Sequence, residues 1–183
     1  MVTVTASSPE QQLRDILLEH PGITIGTAES CTGGSIAARL TSIDGSSAYT
    51  LGGIVAYAND IKHRLLGVPE TVLENPGAVS AECATAMAEG ARHALRARFA
   101  VASTGIAGPA GGTARKPVGL VYLAQSGPDG TTVEEHIFPG DRLAITQAAT
   151  QRALEMLLAA VMTYIASPSA STGLPAGQEN SNT

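Results

Sequence analysis

Hydrophobic positions along this chain switch repeatedly between a helical and a strand-like spacing. Between Ser8 and His20, Leu13, Ile16 and Leu17 fall on one face of a helix, and Ser8, Pro9 and Gln11 form a capping-box start. GITIGTA (residues 22–28) has no helical period and predicts a buried strand, which breaks at ESCTGG and enters a second helix from about Ser35 to Thr41. LGGIVAYA (51–58) predicts another strand, with Asn59 as N-cap of the short helix DIKHRLLG. PETVLENPGA (69–78) reads as a turn-rich connector. Ser80 then caps an Ala-rich helix that ends near Ala97, and RFAVASTG (98–105) is a strand running into the glycine-rich IAGPAGG. VGLVYLAQ (118–125) and TTVEEHIFP (131–139), joined by SGPDGT, predict a hairpin. Asp141 caps a last long helix through about Ile165.

This order predicts an α/β fold: a single three-layer α/β/α domain over residues 8–166, with a mixed parallel and antiparallel sheet. Residues 1–7 form an N-terminal extension, and the small, polar, Pro/Gly-rich segment 167–183 is expected to be a disordered tail. Ligands of such sheets sit beyond the carboxyl ends of the strands. Three predicted strands end in unusual loops, ESCTGG, YANDIK and STGIAGPAGG, and these are expected to converge at one rim.

Composition narrows the function classes. The 183 residues are 44% hydrophobic and 15% charged, as in an ordinary globular domain. A formal charge of -5, few aromatics and no Lys/Arg run argue against nucleic acid as a partner and leave room for a small anionic ligand. Cys31 and Cys83 lack metal-ligand spacing, and the four histidines form no zinc motif, so neither a metal nor a cofactor is expected. The first residues lack a signal-peptide pattern and no apolar run is long enough to span a membrane. A cytoplasmic protein with free thiols is the resulting expectation.

The candidate chemistry lies in the three loops. Ser30 ends a strand just before a helix, where the N–H groups of Thr32, Gly33 and Gly34 are candidates to hold an oxyanion or phosphate. The same pattern also suits a plain turn with a capping hydroxyl. Lys62 is one of only two lysines, and lysine, unlike arginine, can serve as a base once its pKa is lowered. Moving a lysine from ~10.4 to roughly 7–8 takes about 4 kcal/mol. A helix N-terminus supplies at most ~2 kcal/mol of that. A catalytic Lys62 must therefore be buried, whereas an ordinary lysine faces solvent. Tyr57 is placed to relay a proton between Ser30 and Lys62, or simply to pack at the rim. Thr104 and the Gly105 N–H offer polar contacts, Asn59 is a further candidate for binding substrate, and Arg115 and Arg142 are candidates for a phosphate or are surface charges. Cys31 is a rival nucleophile or a small packing residue.

TAESCTGG, GGIVAYANDIKHRLLGV, GAVS, STGIAGPAGGT, KPVGLVYLA and GDR occur in the order and spacing of the CinA C-terminal domain family, which the chain resembles over roughly residues 8–165. The resemblance implies a nicotinamide-nucleotide amidase, which hydrolyses nicotinamide mononucleotide to nicotinic acid mononucleotide and ammonia without metal or cofactor. It also implies catalytic roles for Ser30 of the A-E-S-C-T-G-G motif and for Tyr57 and Lys62 of the Y-x-N-x-x-K motif. Ala110 and the pair Ala114–Arg115 depart from the Asp or Gly and the acidic residue common in the family, a change expected to alter loop or substrate contacts. The N-terminal pyrophosphatase-linked domain of full-length CinA proteins does not occur in these 183 residues, so the stand-alone form is expected. The competing readings are a non-catalytic nucleotide-binding module and a competence- or DNA-damage-related interaction module on the same fold. The apolar circumference of the last helix, from Leu154 to Met162, suits a core or a subunit interface, and a homo-oligomer is expected.

Overall fold

The computed structural model describes residues 7–167. Its elements are α1 (Pro9–Glu19), β1 (Ile25–Glu29), α2 (Ser35–Thr41), β2 (Thr50–Val55), α3 (Asn59–Leu66), a one-turn α4 (Glu70–Val72), α5 (Ala81–Ala94), β3 (Phe99–Gly105), β4 (Leu120–Gly127), β5 (Gly130–Ile137) and α6 (Arg142–Ala166). The strands form one sheet in the order β2-β1-β3-β4-β5. β1 is parallel to β2 and β3, whereas β4 runs antiparallel to both β3 and β5. The expected mixed sheet is therefore present, with its parallel part on the β1 side.

Strand alternation decides what each face can hold. On β3, Phe99 and Val101 point into a core of large side chains with Leu13, Leu40, Leu154 and Leu157 from α1, α2 and α6. Ala100 and Ala102 point the other way, into a core built largely of alanines with Ala84, Ala88 and Ala91 of α5. The alanine face draws α5 close to the sheet. Gly90 extends this closeness to α3: a Cβ there would lie 1.9 Å from the Leu66 carbonyl oxygen.

Most predicted boundaries are close to those found. Ser80 and Asp141 cap α5 and α6 by accepting from the N–H of Cys83 and Ala144. The hairpin turns at Pro128–Asp129, between the paired Gly127 and Gly130. Two expectations change. Asn59 is not a cap: Ala58 holds that position with extended backbone, α3 starts at Asn59, and the Asn59 side chain lines a cavity instead. The connector 69–78 contains the helical turn α4 and a further turn over Leu73–Gly77. Of the apolar residues of α6, Leu154, Met156, Leu157, Leu158 and Val161 are buried within the chain, and Met162 is exposed. The expected tail lies outside the described residues beyond Ser167, as does most of the N-terminal extension. Among the described residues, no helix is long and apolar enough to cross a membrane.

Candidate active site

The parallel strands β1, β2 and β3 end at one rim, and the three loops that follow them enclose a cavity of about 300 Å³. Ser30 and Cys31 come from the first loop, Tyr57, Asn59 and Lys62 from the second, and Thr104 to Gly108 from the third. Arg142, the first residue of α6, closes one side.

Lys62 is the most constrained of these groups. It is 2% exposed. Its Nζ lies 3.1 Å from Ser30 Oγ, 2.9 Å from the Ala56 carbonyl oxygen and 3.1 Å from the Tyr57 carbonyl oxygen. The two carbonyls belong to the chain leaving β2, and α3 folds Lys62 back over them. Burial pushes its pKa below the ordinary lysine value, opposed only by interactions with the Cys83 and Cys31 thiols. A neutral amine has two N–H donors and one lone pair. With three hydrogens, Nζ donates to all three oxygens; in the neutral form the two carbonyls would take both donors and leave the lone pair to Ser30 Oγ.

Ser30 is held from behind. Its N–H donates to the Ser103 carbonyl oxygen, which ties the turn to β3. Cys31 beside it is a poor rival: burial pushes its thiol up to about 11, where little thiolate exists near neutral pH. Cys83 is fully buried and likewise pushed up to about 11.

The structure revises several expected roles. Tyr57 does not stand between Ser30 and Lys62. Its carbonyl accepts from Lys62, while its hydroxyl, on a ring 59% exposed, accepts from Arg142 Nη2 at 2.9 Å. A relay through that hydroxyl has no place in this arrangement, because Lys62 already touches Ser30. The turn amides are also differently used. Gly33 N–H donates to the Ser30 carbonyl oxygen and Gly34 N–H to Glu29 Oε2 at 2.9 Å, so neither is free for an oxyanion. Thr32 turns its hydroxyl away from the cavity toward Glu29 and Ser103. Arg115 does not line the cavity. Its turn is closed by Thr113 and Lys116, Lys116 Nζ reaches the Pro76 and Val79 carbonyl oxygens, and Arg115 is left exposed. Thr104 and Gly105 do line the cavity. The Thr104 hydroxyl donates to the Ala78 carbonyl oxygen at 2.7 Å, which leaves it an acceptor toward the cavity.

Glu29 was not anticipated as part of the site. It is fully buried at the end of β1 and gathers donors from the first turn of α2. The signal was a carboxylate closing an otherwise apolar run, GITIGTAE, directly before Ser30. Among the described residues, no group of three or more His, Cys, Asp or Glu side chains is arranged to hold a metal ion. A second cavity of about 350 Å³ lies at the far end of the sheet, but Arg152 in its wall is already paired with Glu134 and Glu155.

The profile of the CinA C-terminal domain matches residues 7–161. The chain belongs to the CinA C-terminal domain family. It is 50% identical over 147 residues to a CinA-like protein of Geobacter sulfurreducens, covering 80% of this chain and 36% of that protein. A CinA-like protein of Parasynechococcus marenigrum is 51% identical over 144 residues, with 77% and 34% covered. The chain thus spans about a third of the length of these CinA relatives. Among solved structures, the competence/damage inducible protein CihA of Agrobacterium tumefaciens superposes with a TM-score of 0.79 at 46% identity, covering 86% of this chain and 98% of that one. A CinA superfamily protein of Enterobacter cloacae gives a TM-score of 0.79 at 28% identity, with 88% and 98% covered. The CinA fold therefore accounts for the mixed sheet and its helices.

Proposed function

We propose that this chain hydrolyses the carboxamide of nicotinamide mononucleotide to nicotinic acid mononucleotide and ammonia, with Ser30 as nucleophile and Lys62 as its base. The observation that carries this reading is the contact of a buried Lys62 Nζ with Ser30 Oγ while two carbonyls hold the amine. The substrate is the one implied by the family resemblance. A cavity of about 300 Å³ with Arg142 on one side and no carboxylate in its wall supports a mononucleotide with an anionic phosphate.

The contact of Lys62 with Ser30 supports a two-stage route through an ester on Ser30. Lys62 takes the Ser30 hydroxyl proton as Oγ bonds to the amide carbon. The oxyanion requires a donor other than the Gly33 and Gly34 N–H groups, which are already engaged. Lys62 then returns the proton to the amide nitrogen, the C–N bond breaks, and ammonia leaves an ester on Ser30. Water, deprotonated by the same amine, cleaves that ester. Tyr57 contributes its carbonyl to hold Lys62 and its ring to the cavity mouth, and Thr104 offers an acceptor to the carboxamide N–H. A role in competence or DNA damage, which the relatives' names suggest, would need a partner surface, and no feature of this site argues for one.

The test is product analysis: nicotinamide mononucleotide with the full chain, chelator present, should give equal amounts of ammonia and nicotinic acid mononucleotide. No turnover would defeat the reading. Arg142 donates to the Gly108 carbonyl oxygen and to Tyr57 Oη, which aims its guanidinium across the mouth. Arg142→Ala is expected to raise KM about 10- to 100-fold, the value of one charge-assisted contact, with a smaller change in kcat. Nicotinamide riboside, lacking the phosphate, should show no such change in kcat/KM. An equal loss for both substrates would remove Arg142 from the phosphate site.

A further inference from the structure

We infer that Glu29 is a positioning residue for the proposed reaction: its carboxylate fixes the turn that presents Ser30 to Lys62 and sets a one-way hydrogen-bond chain from Ser103 through Thr32. The inference rests on Ser30 being the nucleophile. Five donors meet on this one buried side chain. Oε1 accepts from Thr27 Oγ1 at 3.3 Å and Ala37 N–H at 2.8 Å. Oε2 accepts from Thr32 Oγ1 at 2.7 Å, Gly34 N–H at 2.9 Å and Ile36 N–H at 3.1 Å. The first turn of α2 is therefore capped from the residue just before Ser30, and the four residues between Glu29 and Gly34 form a closed loop. The Ser30 N–H to Ser103 bond anchors the same loop to β3.

A carboxylate in this setting only accepts, which gives the chain its direction. Thr32 gives its hydroxyl hydrogen to Glu29, so in the 2.6 Å contact between Thr32 Oγ1 and Ser103 Oγ, Ser103 must donate. Ser103 also lies beside the Cys31 thiol, where a hydroxyl hydrogen given to the sulfur would lower its pKa, against the burial that raises it. Its one hydrogen is already engaged, so it has none left for a Cys31 thiolate. The arrangement thus does two things at once. It holds the turn that carries Ser30 beside Lys62, and its charge adds to the burial that keeps the neighbouring sulfur a thiol.

Glu29→Gln tests both consequences in the full chain. An amide must turn its NH2 either against the Ala37 N–H or against the Gly34 and Ile36 N–H groups, so the loop must shift. A shift of this kind costs on the order of 10²-fold in kcat. KM for nicotinamide mononucleotide should stay within about twofold, since no substrate-facing group is removed. The second readout is alkylation by iodoacetamide near pH 8, with Cys31 and Cys83 resolved by peptide mapping. Without the carboxylate, the chain can reverse and Ser103 can donate to sulfur, and Cys31 loses a nearby negative charge. Cys31 should then alkylate a few-fold faster, the rise in thiolate being partly offset by lower nucleophilicity. Cys83 should not change. Thr32→Val, which keeps the charge and breaks the chain, should slow Ser30 less while still leaving Ser103 free.

Wild-type kcat in Glu29→Gln overturns the assignment. So does a parallel rise at Cys83, which would mean general loosening. If the wild-type chain releases no ammonia, the amidase reading fails, and the Cys31 alkylation comparison alone decides whether Glu29 orders this turn.

Discussion

Lys62→Met is expected to remove amide hydrolysis by on the order of 10³-fold, the usual contribution of a positioned base. Methionine fills a similar volume, so the helix α3 that carries it should remain docked. The wild-type rate should rise with pH and level off once Lys62 is neutral. Because burial lowers its pKa, that plateau should arrive below the range in which a solvent-exposed lysine titrates. The residual rate of the variant should lack this limb. Stability supplies an independent check with a fixed sign. A lysine whose pKa is lower in the folded chain is protonated in the unfolded chain over the interval between the two values. Unfolding takes up a proton there, so wild-type stability rises with pH until the unfolded-state value near ~10.4 is passed. Lys62→Met lacks this term but leaves the Ala56 and Tyr57 carbonyls without their donor. The difference in unfolding free energy, variant minus wild type, should therefore fall as pH rises from neutral, whatever its value at pH 7. Denaturant titrations at several pH values measure it. A flat difference would mean that Lys62 is charged in the folded protein and cannot be the base.

Gly90→Ala should destabilise the domain although alanine is the better helix former. The intrinsic gain from alanine is about 1 kcal/mol. Against it stands a Cβ that would lie 1.9 Å from the Leu66 carbonyl oxygen and 2.7 Å from its carbon. These are main-chain atoms at the end of α3, so no side chain can rotate away. Forcing the helices apart in a packed interior costs roughly 1–3 kcal/mol or more. The alanine core leaves little slack to absorb the shift, because Met87, Ala88 and Ala91 are already fully buried. A net loss of about 2 kcal/mol corresponds to a fall in Tm of roughly 4–8 °C for a domain of this size. Since α3 carries Lys62, amidase activity should fall along with stability. A wild-type or raised Tm would show that α3 and α5 are not in contact as described.

The parts of this protein that were legible in its sequence are those set by local chemistry. The capping Ser80 and Asp141, the hairpin at Pro128–Asp129 and the convergence of three loops at the strand ends follow from short-range patterns. A catalytic lysine needs burial on energetic grounds, and Lys62 is buried. What escaped the sequence was set by contacts distant in the chain or by a side chain turning back on its own backbone. The Gly33 and Gly34 amides looked free because nothing local shows one turning back to the Ser30 carbonyl and the other meeting a Glu29 carboxylate folded onto α2. Arg115 and Arg142 were equivalent as charges. What separates them is Lys116 reaching across to Pro76 and Val79, together with Arg142 opening α6 at the cavity mouth. Asn59 looked like a cap because its residue type favours one, yet the chain leaving β2 starts the helix one residue earlier than that reading allows.

The measurement that bears most directly on the account is ammonia release from nicotinamide mononucleotide by the wild-type chain and Ser30→Ala, side by side with chelator present. The account predicts steady release by wild type and a loss of at least about 10³-fold in the variant, with the variant still binding the nucleotide. Equal release by the two proteins would contradict it, because hydrolysis would then proceed without the hydroxyl that Lys62 contacts.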